Sequence, residues 1–309
     1  MRQWLVFEAL ADRTGARVLY FRDTGGGRMD KSCRATIGAL TLTSIIIAPA
    51  ASAQPAPIRG PDTVSFTSGA LTLRGIIYRP VGAGPFPTIL FNHGSGKSYT
   101  MEVEAVGPAY AGSGFVFFAP SRRGQWLSSA TGQYILDSLD AIERLKGAEA
   151  RGQLLVELMN GPQLSDVRAA LTFIKTKPYV QRDRVVIAGN SFGGIVTVFA
   201  SARLDGLFAA INFAGAAQTW AGAPQLQAAM TEAVVHSRIP IFFGQAENDY
   251  DTTPSRVLSE AMTKAHKPNV LRIFPSFGTT TAEGHSFGYF GGNIWGPEVV
   301  AFVKNPPKP

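Results

Sequence analysis

Short runs of β-branched and aromatic residues alternate with longer stretches of helical spacing over most of the chain. Residues 64–67 and 71–78 flank Ser68-Gly69-Ala70 and predict a hairpin. Runs at 88–92, 115–119, 185–188, 208–213, 239–243 and 270–274 are apolar and short, as buried strands are. Between them, 101–112, 166–177, 195–202, 225–235, 254–266 and 297–303 predict helices. Ser165 is expected as an N-cap, and Pro254 fits a helix start. Residues 125–164 break the alternation. Leu139, Ile142 and Leu145 recur at helical spacing, and Leu154, Leu155, Leu158 and Met159 continue it after Gly152, so this stretch reads as an inserted helical cap. Strand-helix alternation predicts an α/β fold: a doubly wound, mostly parallel sheet covered on both faces. One domain over 54–309, with a cap at 125–164, explains the pattern.

Composition narrows the partners. Of 309 residues, 45% are hydrophobic and 17% charged, which is globular. The net charge is +7, but the first 53 residues hold seven basic and four acidic side chains, which leaves +4 for the rest. No dense basic run occurs there, so no nucleic-acid partner is expected. Lys31 and Arg34, the apolar 35–50 and Ala51-Ser52-Ala53 have the order of a secretory signal, with cleavage before Gln54. A periplasmic or secreted protein, without stable membrane insertion after cleavage, is the expectation. Residues 1–28 precede that signal, and a translation start at Met29 would leave them out. Cys33, the only cysteine, lies inside the signal, so a mature chain would have no disulfide, cysteine nucleophile or cysteine-bound metal. The oligomeric state is not legible.

Chemistry enters at Gly189-Asn190-Ser191-Phe192-Gly193, placed between a predicted strand and helix. That is the context of a nucleophile elbow, where small residues two before and two after the serine let strand and helix nearly touch. A serine needs a base and the base an orienting group. Among four histidines, His285 in Glu283-Gly284-His285-Ser286-Phe287 follows the last strand, on the sheet edge where Ser191 sits. The orienting acid is expected after strand 239–243. Asp249 is preferred over Asp251 and Glu247. The backbone N–H of Phe192 and that of Ser95, with Gly94 as the alternative, are the expected oxyanion donors. Arg122, Arg123 and Trp220 are candidate substrate-binding residues, and Leu139, Ile142, Leu154, Leu155 and Phe192 candidate pocket walls. For the arginines, tying loops together is the plainer reading. Gly94-Ser95-Gly96-Lys97-Ser98 ends like a phosphate-binding loop, but Phe91 stands where its first glycine belongs. No metal or organic cofactor is required.

Asn92-His93-Gly94, Ser121-Arg122-Arg123-Gly124, Gly189-Asn190-Ser191-Phe192-Gly193 and Gly284-His285 together resemble the α/β-hydrolase superfamily, in its dienelactone-hydrolase-like branch. Where dienelactone hydrolase has a cysteine, this chain has Ser191. The resemblance implies the α/β-hydrolase fold and a serine hydrolase acting on a small ester or lactone through an acyl-enzyme. An acyltransferase, a serine peptidase and a non-catalytic protein on the same fold are the rival readings.

Overall fold

The computed structural model describes residues 57–308. The proposed signal and the segment before it lie outside those residues. Eight strands form one sheet in the order β1-β2-β4-β3-β5-β6-β7-β8. Strands β1 (Ile58–Ser68) and β2 (Leu71–Pro80) make the antiparallel hairpin, and β2 pairs antiparallel with β4 (Val116–Pro120). From β4 onward, β3 (Phe86–Asn92), β5 (Val180–Asn190), β6 (Ala209–Phe213), β7 (Ile241–Ala246) and β8 (Asn269–Phe274) pair in parallel. Their C-terminal ends therefore share one edge.

Strand side chains alternate between two separate cores. Leu90, Phe118, Val185, Ile187 and Phe243 face α3 (Leu164–Lys175), α4 (Phe192–Arg203), α5 (Pro224–Val235) and α6 (Thr253–Lys264). Ile89, Phe91, Phe117, Val186 and Phe242 face α1 (Thr100–Gly112) and α8 (Gly292–Lys304), where Trp295 is fully buried. Both faces being covered explains the near-continuous apolar strands. Strand β3 leads into α1 on one face, and its neighbour β5 leads into α4 on the other. The loops after these two strands thus face each other across a crevice, the usual ligand position in such sheets.

Between β4 and α3 lie a short 3₁₀ turn (Trp126–Ser128), α2 (Ile135–Leu158) and a π-helical turn (Met159–Gln163). Helix α2 bends at Gly147, whose φ of 83° is left-handed. Gly152, after which the leucine spacing resumes, stays helical; a Cβ there would press on Gln225. Ser165 does not cap α3. The helix continues from the π turn, and the Ser165 hydroxyl donates to the Gly161 carbonyl 3.0 Å away, one turn back. The final helix is also longer than its pattern suggested and contains Pro297.

Candidate active site

Ser191 sits between β5 and α4 with φ 57° and ψ −120°, a strained conformation for a residue with a side chain. The turn closes tightly. A Cβ on Gly193 would collide with the Asn92 carbonyl, and one on Gly189 with the Gly193 carbonyl. The two glycines are required by contact, and the Ser191 N–H is anchored to the Phe213 carbonyl at 2.9 Å.

Asp249 follows β7, and its side chain is fully buried. One oxygen, Oδ1, takes the Tyr250 N–H at 2.6 Å, and the other takes the Gln245 amide at 2.8 Å. His285 ends α7 (Thr281–His285), a short helix opened by a capping box between Thr280 and Glu283. Asn248 ties the two segments together. Its amide nitrogen donates to the Phe277 and Thr280 carbonyls, and its oxygen accepts the Phe277 N–H. The imidazole then bridges the site: Nδ1 lies 2.8 Å from Asp249 Oδ1 and Nε2 lies 2.8 Å from Ser191 Oγ. A buried carboxylate can only accept, so Nδ1 donates to it and Nε2 faces the serine as acceptor. Asp251 is elsewhere, receiving the Thr253 N–H at the start of α6.

The loop after β3 is held on all sides. The Gly94 N–H donates to Tyr289 Oη at 2.9 Å and the Gly96 N–H to Tyr99 Oη at 2.5 Å. Tyr134, just before α2, donates to the Ser95 carbonyl at 2.7 Å. Gly94 is thereby removed as an oxyanion donor. Ser95 and Phe192 both border the pocket beside Ser191, and neither N–H is spent on a hydrogen bond among the described residues.

That pocket measures about 460 Å³. Leu136, Leu139 and Leu155 of α2 form one wall, Ile195, Ala216 and Ala223 the other, and Glu143 and Arg151 stand at its rim. None of its lining residues comes from the Asp249 or His285 segments, so it opens on the side of Ser191 away from the imidazole.

Three sequence-predicted binding residues are placed elsewhere. Arg122 is 1% exposed, and its guanidinium donates to the Gly94 carbonyl at 2.6 Å. Arg123 is spent on Asp166, through Nε at 2.9 Å and Nη2 at 2.6 Å. Trp220 is buried in the core beside the pocket and does not line it; Ile142 and Leu154 are also absent from its walls. Sequence reasoning missed Asn190, Gln245, Asn248 and the three tyrosines. The Thr280/Glu283 box was visible as a helix start before His285. Among the described residues, no three His, Cys, Asp or Glu side chains converge as a metal site.

The family model described as the dienelactone hydrolase family matches residues 73–289. The chain belongs to the dienelactone hydrolase family. A structure from Klebsiella pneumoniae subsp. pneumoniae that carries the name of a dienelactone hydrolase aligns with TM-score 0.58 at 14% identity, covering 81% of this chain and 99% of that one. The esterase Est22 aligns with TM-score 0.58 at 16% identity, over 79% of this chain and 80% of that one. These two likenesses are of fold. An uncharacterized peptidase of Bacillus subtilis (strain 168), YtmA, is 26% identical over 144 residues, 47% of this chain and 46% of its own length. This chain thus matches about half the length of that relative. Membership of the dienelactone hydrolase family and these two structures agree on the α/β-hydrolase fold for this chain.

Proposed function

We propose that the protein is a serine hydrolase that cleaves small carboxylic esters or lactones through an acyl-enzyme. The observation that carries this reading is the unbroken hydrogen-bonded series Asp249–His285–Ser191. Neutral His285 takes the Ser191 proton at Nε2 as Oγ attacks the carbonyl carbon, and Asp249 stabilises the resulting imidazolium. The Phe192 and Ser95 N–H groups receive the oxyanion. The Nε2 proton then passes to the leaving alkoxide, and water repeats the sequence to free the acid. The leaving group must lie beside His285, so the acyl part occupies the pocket on the other side. Its leucine walls suit an apolar acyl group. Arg122 and Arg123, which would select an acidic substrate, do not reach it. The first 53 residues add a secretory signal to the reading, and with it a periplasmic or secreted location. N-terminal sequencing of the mature protein checks that, with Gln54 expected first.

The test is hydrolysis of nitrophenyl esters of rising acyl length, then lactones and amides, together with labelling by a fluorophosphonate. Ser191→Ala is expected to abolish labelling and lower kcat by about 10⁶ while leaving the fold intact. Turnover of amides alone would favour a peptidase, the name carried by the Bacillus subtilis relative. An unlabelled Ser191 and no turnover in the panel would defeat the proposal.

A further inference from the structure

Arg122 has a setting that packing alone does not explain. Its guanidinium is buried and makes no ion pair among the described residues. Two of its nitrogens, Nε and Nη1, have no hydrogen-bond partner among the described residues. A buried charge left this way is costly, so its retention points to a use. The third nitrogen, Nη2, lies 2.6 Å from the Gly94 carbonyl. His93 Nδ1 at 3.0 Å and the Gln125 amide at 3.3 Å reach the same oxygen.

That carbonyl and the Ser95 N–H belong to one planar peptide unit. Three donors on its oxygen draw electron density from its nitrogen, and hydrogen bonds in such a chain strengthen one another. They also fix the plane of the peptide, and with it the direction of the Ser95 N–H, which borders the same pocket as Ser191. We propose that Arg122 is a positioning residue that acts through the Gly94–Ser95 peptide, lending the Ser95 N–H its charge and direction when the oxyanion forms. The substrate never touches it. Desolvation draws its pKa down to about 10, which leaves it charged at neutral pH. The inference rests on the serine-hydrolase reading above.

The test compares Arg122→Met, Arg122→Gln and Arg122→Lys with the wild type on one nitrophenyl ester. A trifluoromethyl ketone, which forms an oxyanion adduct, and the carboxylic acid product are compared as inhibitors. Met and Gln are expected to lower kcat about tenfold or more, a fraction of the ~10²–10³ that loss of a whole oxyanion donor costs. KM should stay within about twofold, because ground-state contacts are unchanged. Lys, which keeps a charged donor, should restore most of kcat. Affinity for the ketone should fall in step with kcat, and affinity for the product should not. Equal kcat in Lys and Gln, unchanged ketone affinity, or an effect on KM alone would overturn the proposal. So would failure of all three variants to fold, which would make the guanidinium a folding requirement. Wild-type turnover in the same assay keeps the hydrolase reading separate from this one.

Discussion

Ser191 and His285 approach each other from loops 94 positions apart, and a third residue joins them. Asn190, directly before the serine, donates from its side-chain amide to the His285 backbone carbonyl at 3.2 Å. Its oxygen is buried with no partner among the described residues and packs where a Cβ on Gly288 would sit. The residue that shares the strained elbow thus also ties down the segment that carries His285. Removing this tie while keeping the volume should let His285 drift. A displacement near 1 Å can cost about 10² in rate, so Asn190→Leu is expected to lower kcat about ten- to hundredfold with little change in KM. Steady-state kinetics beside a thermal melt would check it. A variant with wild-type kcat would show that Asn190 only fills space.

At the scale of elements, α2 is a bent clamp over the pocket. Its first arm supplies Leu136, Leu139 and Glu143, and its second supplies Arg151, Gly152 and Leu155. Arg151 lashes the arms together, with Nη1 at 2.7 Å from Asp140 and 3.1 Å from Glu143. All three are partly exposed, so this lashing contributes little. Leu155→Trp should shorten the pocket. We expect kcat/KM for an octanoyl ester to fall about ten- to hundredfold relative to an acetyl ester, the scale on which apolar pockets discriminate. An unchanged chain-length profile would place the acyl group elsewhere. The helical character of this region was legible from its leucines, but the bend was not. No leucine stands between Leu145 and Leu154 to locate the bend, and only the backbone reveals the left-handed φ of Gly147. The apolar runs likewise marked the parallel strands, because both faces of the sheet are covered. Long-range polar choices were hidden. Whether Arg123 faces substrate or Asp166 depends on α3 lying 43 residues away, and no local pattern encodes that.

Over the whole molecule, the crevice between the β3 and β5 loops is built on buried polar groups, and these set a limit on acid stability. His93 has no exposed surface. It accepts the Arg122 N–H at Nε2 over 3.2 Å and can donate to the Gly94 carbonyl from Nδ1, an arrangement only the neutral ring satisfies. Tyr99 stacks on it at 4.6 Å and Trp126 meets it edge-on, while the Arg122 guanidinium stands beside it. Burial, and then that guanidinium, hold its pKa well below 6.5. The unfolded chain has no such restraint and titrates at about 6.5. Between the two pKa values the unfolded state binds a proton that the folded state refuses. The contribution of His93 to stability is therefore flat above about pH 6.5 and falls as the pH drops below it, by up to about 1.4 kcal/mol per pH unit. Urea midpoints measured at pH 7.5, 6 and 5 should fall steadily for the wild type. The fall should be shallower for His93→Gln, which carries an amide in place of the ring and has no proton to gain. Parallel lines for the two proteins across that range would mean that the imidazole is already charged in the folded state, and the hydrogen bonding assigned to the loop that presents Ser95 would be wrong.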